Sequence, residues 1–267
     1  MRSLSQLMDL TGRRALVSGG AGHIGLAVSE VLAELGVAVA ILDLESAMAR
    51  TANGLLKQLR KRGAIMVPCD LRDEHTTRAA VQDAIRTLGG LEIMVHCAAL
   101  VGATDMAGWN VPFEQQTVEA WDAAMRINLT SAFMLVQETR EALTASGHGS
   151  VILLASIYGV GGPDLRLYEG TPMGQPAGYG ASKGGLLQLT RYLATILAPR
   201  VRVNAISPGG VERNQPDAFR KRYEARTPLG RMATEEDVKG AILYLASDLS
   251  AYVTGHNLMV DGGWSIW

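Results

Sequence analysis

Residues 14–25 read RALVSGGAGHIG: a short apolar run that breaks into a glycine turn and then continues as an amphipathic stretch to Gly36. Strand, glycine turn and helix in that order form the setting a dinucleotide fingerprint requires. Gly20, Gly22 and Gly25 satisfy G-x-G-x-x-G. Glycines there permit a tight turn, close backbone approach to a pyrophosphate and packing of the helix on the strand, and the free N–H groups of the helix start face the phosphates. A lone fingerprint is weak, so the next segment decides. Residues 37–42 (VAVAIL) are a second apolar run, closed by Asp43. An acid at that strand end, about 20 residues past the glycines, binds a ribose 2′-hydroxyl and repels a 2′-phosphate. Capping the following helix is a compatible second use of Asp43. Leu44, Glu45 and Ser46 bring no cation, so the cofactor reads as NAD rather than NADP.

Outward from there, the pattern alternates. Residues 46–62 read as a polar-faced helix, 64–69 as a strand closed by Asp70, 73–88 as a helix, and 91–95 as a strand running into HCAAL. Residues 117–145 form a long helical pattern interrupted at Ile127-Asn128-Leu129, and 149–155 a strand ending at Ser156. A helix from Tyr179, a strand over 200–206 broken by Ser207-Pro208-Gly209-Gly210, a helix over 234–246 and a strand over 257–260 complete the chain. Thr234 reads as the N-cap of that last helix, with Asp237 in capping-box position. Alternating strands and helices predict an α/β fold, a single-domain Rossmann-type doubly wound parallel sheet of about seven strands with helices on both faces. Residues 1–267 then make one dinucleotide-binding and catalytic domain. Ligands bind outside the carboxyl ends of such strands, where Asp43, Asp70, residues 96–99 and Ser156 all fall. Residues 102–116 read as a surface loop, 157–178 as an active-site loop and 211–228 as a polar substrate cover with a short helix.

Tyr179 and Lys183 lie four residues apart, one above the other on a helix face. A cation beside a phenol favours the phenolate, a proton acceptor. Such a pair also arises by chance on solvated helices. Asn128 inside an apolar helix is costly unless its amide is paired, and a satisfied core Asn is its plainer use.

Composition narrows the classes. The 267 residues are 48% hydrophobic and 19% charged with a net charge of -1, which gives no basic surface for nucleic acid or an anionic membrane. Cys69 and Cys97 make no disulfide framework and no metal-ligand spacing accompanies them, so no metal is expected and the thiols read as buried in a reducing compartment. No apolar run is of signal-peptide or bilayer-spanning length. The expectation is a soluble cytoplasmic protein with a small-molecule partner.

With residues 19–25, Asp43, Asp70, Asn128, Ser156, Tyr179/Lys183 and 207–210 in order, the chain resembles a short-chain dehydrogenase/reductase. NAISPGG (204–210) and YVTGHNLMVDGG (252–263) extend the likeness over nearly the whole chain. The resemblance implies that Tyr179 is the acid/base and that Lys183 lowers its pKa while binding the nicotinamide ribose. It implies that Ser156 positions the substrate oxygen and that Asn128 holds a water in a proton relay. The cofactor contacts it implies are Gly19, Gly22, His23, Ile24, Gly25, Asp43, Asp70, Leu71, Ala98, Lys183, Pro208, Gly209 and Val211, with Asp70 toward the adenine and Val211 toward the carboxamide. It also implies a homotetramer, in which Trp264 and Trp267 anchor a subunit contact or cap a neighbour's site.

Three departures stand out. Ser18 replaces the family's Thr, and His23 stands where its middle Gly is expected. The spacing of Gly19, Gly22 and Gly25 matches the extended, sugar-nucleotide-modifying branch instead, but the chain lacks room for that branch's extra substrate domain, so the short form is kept. His96-Cys97-Ala98-Ala99 replaces N-N-A-G. Ser156 and Tyr179 are 23 positions apart, farther than in the family, so a loop such as PDLRLYEGTPMG (163–174) is inserted; loops of this size are often functional.

The insertion carries Asp164, Arg166, Tyr168, Glu169 and Thr171 and is expected to face Arg213, Asn214 and Gln215. These groups suit an oxygen-rich, sugar-like secondary alcohol or ketone, unless the loop is simply solvated. The combination SIYG, YEGT and VERNQPD is weakly similar to reductases of bacterial surface-sugar and flagellin-glycan biosynthesis. The alternatives are an NAD-retaining sugar epimerase or dehydratase, and a non-catalytic dinucleotide sensor, whose expected mark is loss of the Tyr or Lys.

Overall fold

The computed structural model describes residues 1–51, 54–102 and 104–267. Among them, the apolar runs lie side by side as β1 (Arg14–Ser18), β2 (Ala38–Asp43), β3 (Ile65–Pro68), β4 (Ile93–His96), β5 (Gly149–Leu154), β6 (Val201–Pro208) and β7 (Asn257–Val260). They form one sheet in the order β3-β2-β1-β4-β5-β6-β7, every adjacent pair parallel. The order reverses between β1 and β4, the switch point at which such sheets open a ligand crevice. Every residue of β4 and β5 is buried, which is why these strands read as unbroken apolar runs rather than alternating ones.

The helices are α1 (Leu4–Met8), α2 (His23–Glu34), α3 (Glu45–Thr51), α4 (Leu55–Lys61), α5 (Glu74–Leu88), α6 (Val118–Met125), α7 (Ser131–Ser146), α8 (Ala177–Leu197), α9 (Asp217–Arg226) and α10 (Glu236–Ala246). Successive strand residues point to opposite faces. Leu16, Met94, Val151 and Val203 therefore pack with α5, α7 and α8, while Val17, Ile93, Val95 and Ile152 pack with α2 and α10. The predicted two-faced α/β sheet is what the chain forms. Among the described residues no helix is long and apolar enough to cross a membrane.

Local differences have local causes. The helix expected over 46–62 is divided into α3 and α4, with Gly54 at the N-cap of α4; residues 52 and 53 lie outside the described residues, as does residue 103 of the 102–116 loop. The pattern break at Asn128 is a π-turn over Arg126–Thr130 between α6 and α7. Thr234 does not cap α10, which begins after Glu235. Half of the expected capping box does form, the Asp237 carboxylate accepting the Thr234 N–H at 2.7 Å. The 157–178 segment contains two 3-10 turns, Ile157–Gly159 and Leu165–Tyr168, and Leu167 anchors it in the core.

Candidate active site

A cavity of about 420 Å³ opens over the carboxyl ends of the central strands. Ser156 enters it from the turn after β5, Tyr179 and Lys183 from α8, and Pro208 and Gly209 from the end of β6. Gly159 lets the Ser156 turn lie against α8, because a Cβ there would stand 2.7 Å from the Lys183 carbonyl oxygen. That approach puts Ser156 and Tyr179 in one cavity, with Ser156 Oγ accepting the Tyr158 N–H at 3.1 Å.

Lys183 is buried, and its Nζ donates to the Leu154 carbonyl at 2.6 Å. Nζ lies 5.7 Å from the centre of the Tyr179 ring. Burial pushes the ammonium down to about 8. Only one of its three donors is spent, so it has hydrogen bonds left for a cofactor ribose. Burial raises the Tyr179 phenol, while the Ser156 hydroxyl and the charge of Arg213 draw it back down. The Lys183 ammonium, beside the ring, bonds to Leu154, and Arg213 adds a second positive charge on the same cavity.

The glycine turn is shaped for a dinucleotide. Gly19 adopts φ +68°, and a Cβ on it would stand 2.5 Å from the Ala98 nitrogen. A Cβ on Gly25 would stand 2.0 Å from the Gly19 carbonyl oxygen. Gly22 caps α2 without a side chain, which leaves first-turn N–H groups for phosphate. His23, at the family's middle-glycine position, has a side chain 69% exposed, its Nδ1 3.8 Å from Glu235 Oε1; the turn needs no glycine there. Ile24 and Val211 line the cavity.

Asp43 closes β2, and its carboxylate accepts the N–H groups of Ala21 (2.9 Å) and Leu44 (2.8 Å). The acid is thereby pinned to the glycine turn. Asp70 is held by Arg72 through two guanidinium nitrogens, 3.0 and 2.6 Å away, and this pairing keeps its carboxyl below the usual range. Leu71 is buried beside it. Asn128 is fully buried, its Oδ1 accepting the Leu100 N–H (2.7 Å) and its Nδ2 donating to the Leu100 carbonyl (3.2 Å) and Ser182 Oγ (2.9 Å). Its side-chain amide fixes the β4 loop against α8.

His96 and Ser18 are register partners on neighbouring strands, and Ser18 Oγ lies 2.7 Å from His96 Nδ1. Complete burial, with a smaller push from Lys183, lowers the imidazole to about 3. It is neutral when folded but protonates below about pH 6.5 when unfolded, so stability is full above that pH and falls as the medium acidifies. Between about pH 7 and about pH 5 the loss is on the order of 2 kcal/mol. Urea melts at the two pH values check it: His96→Asn should show a correspondingly smaller acid loss than the wild type.

The insertion does not carry its charges into the cavity. Asp164 pairs with Arg166 and Arg226, Thr171 Oγ1 donates to the Tyr168 carbonyl (2.7 Å), and the Glu169 carbonyl accepts from Arg222 (2.5 Å). The contacts with Arg222 and Arg226 staple the loop to α9. Of its five polar residues named from the sequence, only Tyr168 reaches the cavity, accompanied by Met173, Gly174 and Gln175. From the other side come Arg213, Asn214 and Gln215, as expected, with Phe219 and Tyr223 of α9.

An aromatic cluster, unread in the sequence, joins these parts. Tyr158 and Tyr168 share a hydrogen bond of 2.7 Å, and the Tyr223 hydroxyl accepts the Gly210 N–H at 2.5 Å. Trp264 stacks on Tyr223 with ring centres 5.8 Å apart and is 5% exposed. Trp264 therefore braces the cover of its own chain, whereas Trp267 is exposed and donates to the Arg226 carbonyl. The one sequence signal was Tyr158, two residues past Ser156.

A dinucleotide cradle and a Ser–Tyr–Lys cluster on one sheet edge define an oxidoreductase of Rossmann type. A family model described as enoyl-(acyl carrier protein) reductase matches residues 19–265. The chain is 30% identical to 2,5-dichloro-2,5-cyclohexadiene-1,4-diol dehydrogenase of Sphingobium indicum, over 96% of this chain and 98% of that one. It is 33% identical to cis-4-hydroxycyclohexanecarboxylate dehydrogenase of Sinomonas cyclohexanicum, over 95% and 96%. The crystal structure of a short chain dehydrogenase from Leptospira borgpetersenii with bound NAD+ is similar at 30% identity and a TM-score of 0.83, over 99% of this chain and 96% of that one. The chain belongs to the short-chain dehydrogenase/reductase family.

Proposed function

We propose that the protein transfers hydride between NAD(H) and a secondary alcohol or ketone of a small cyclic substrate. The observation that carries this reading is the convergence of Ser156, Tyr179 and Lys183 beside the glycine turn and Asp43. When bound, the nicotinamide supplies or accepts the hydride. Ser156 holds the substrate oxygen by hydrogen bond, and Tyr179 gives that oxygen a proton in reduction or takes one in oxidation. Lys183 grips the ribose with the donors that Leu154 leaves free. The presence of both Tyr179 and Lys183 in one cavity favours catalysis over sensing.

Asp43 supports NAD. Two backbone N–H groups hold its carboxylate at the strand end, so it cannot swing aside for a 2′-phosphate. Calorimetry with both dinucleotides tests this. Wild type should bind NAD+ about tenfold or more tighter than NADP+, since a hydrogen bond to a charged group contributes about 1.5–3 kcal/mol, and Asp43→Ala should bring the two affinities together. Equal or tighter binding of NADP+ by the wild type would remove Asp43 from the ribose.

Aromatic walls from Tyr158, Tyr168 and Phe219 suit a ring, and the two curated relatives named above act on cyclic alcohols. A sugar-like substrate is the second reading, supported by the amides of Asn110, Gln175, Asn214 and Gln215 on the same cavity. Self-association as a homotetramer is supported by exposed apolar side chains on α8, Tyr192 and Ile196, and near the chain end, Tyr252 and Trp267.

A further inference from the structure

We infer that the substrate is an anion, carrying a carboxylate on the ring that bears the reacting oxygen, and that Arg213 binds this carboxylate. The inference rests on the function proposed above and narrows its substrate class. Among the described residues the cavity is lined by two cations, Lys183 and Arg213, and by no Asp or Glu. The Cys97 thiol in its wall is pushed up to about 12 by burial and carries no charge at neutral pH. The charged side chains of the lining are therefore both cations, and Lys183 is committed to Leu154 and the cofactor side. Arg213 is the charge left for the substrate.

The local structure presents Arg213 as a prepared site. Its side chain is 29% exposed, and its Nε donates to Glu235 Oε1 at 3.2 Å. No hydrogen-bond partner of Nη1 or Nη2 is found among the described residues, so one edge of the guanidinium fork is open for a bidentate carboxylate. Glu235 does not line the cavity; it steadies the guanidinium from outside. The backbone beneath is also fixed: the Arg213 N–H donates to Gln215 Oε1 (2.6 Å), and Gln215 Nε2 donates to the Val211 carbonyl (2.7 Å). A group held in its bound position before the ligand arrives loses little freedom on binding. Tyr179 and Arg213 line the same cavity of about 420 Å³, so one small molecule can meet both.

Titration of cyclohexanecarboxylate and of cyclohexanecarboxamide into protein saturated with NADH tests the inference. The acid should bind wild type about tenfold or more tighter than the amide, as charge-assisted pairs outweigh neutral ones. That preference should vanish in Arg213→Gln and shrink in Arg213→Lys, whose ammonium keeps the charge but not the fork. NADH affinity, measured first on each protein, reports the fold and the dinucleotide site. Should Arg213→Gln fail to bind NADH, the wild-type preference and its reduction in Arg213→Lys decide. Equal binding of acid and amide, binding of neither, or a preference that survives in Arg213→Gln overturns the inference while NADH binding leaves the proposed function standing. A wild type that binds no NADH removes that function and the inference with it.

Discussion

Tyr179→Phe should lower kcat/KM by about 10³-fold, within the range that general acid–base catalysis supplies, and leave NADH affinity unchanged. The substitution removes one hydroxyl and keeps the ring. The ring packs with Trp109, Ala120 and Ala124, so the fold is not disturbed, and the Lys183 bond to Leu154 is independent of the phenol. What is lost is the proton carried between the substrate oxygen and solvent; among the described cavity residues the Tyr158 and Tyr168 hydroxyls are paired with each other and Cys97 holds its proton. Steady-state rates beside an NADH titration separate the outcomes. Unchanged turnover would assign proton transfer to another group, and lost NADH affinity would mean that Tyr179 is structural.

Gly25→Ala should damage stability and cofactor binding together. The added carbon would stand 2.0 Å from the Gly19 carbonyl oxygen and 2.7 Å from Gly20 Cα. Both are backbone atoms, so no side-chain rotation relieves the clash, and the start of α2 must move away from the β1 turn. Overpacking of this kind costs about 1–3 kcal/mol, occasionally more. The displacement also carries first-turn N–H groups away from the phosphates, whose charge-assisted bonds contribute about 1.5–3 kcal/mol each; NADH affinity should therefore fall on the order of 10²-fold. Gly22→Ala is the comparison, because its Cβ would meet only the Gly19 carbonyl oxygen, at 3.2 Å, and both effects should be much smaller. Thermal melts and NADH titrations on the two variants check this. A Gly25→Ala protein that melts and binds like wild type would mean that α2 does not pack on the turn as described.

Much of this architecture was legible because it is local. Apolar runs of strand length, closed by Asp43, Asp70 and Ser156, mark the carboxyl edge of the sheet, and the break in the apolar pattern at Asn128 falls where the π-turn divides the helix expected over 117–145. What stayed hidden depends on pairing across long stretches of chain. The charges of the insertion read as substrate-facing because nothing in 163–174 announces that Arg222 and Arg226, more than fifty positions on, will bind Asp164 and the loop carbonyls. Trp264 read as a subunit anchor or a cap on a neighbour's site for the same reason: its stacking on Tyr223 exists only once α9 folds over the end of β6. The turn accommodates His23, since the steric demand falls on Gly19 and Gly25 and the imidazole is 69% exposed beside Glu235. The partner of Lys183 was beyond reach, because a backbone carbonyl leaves no mark in a sequence.

The central claim is that the Tyr179 cavity moves hydride between NAD(H) and a cyclic secondary alcohol or ketone. Its most direct test is nicotinamide absorbance during incubation of the purified protein with NAD+ and a panel of cyclic secondary alcohols, hydroxy acids and sugars included, and with NADH and the matching ketones. Absorbance should rise with at least one alcohol, fall with its ketone, and stay flat for both in Tyr179→Phe. A protein that binds NAD+ yet leaves the absorbance unchanged with every member of the panel would contradict the account.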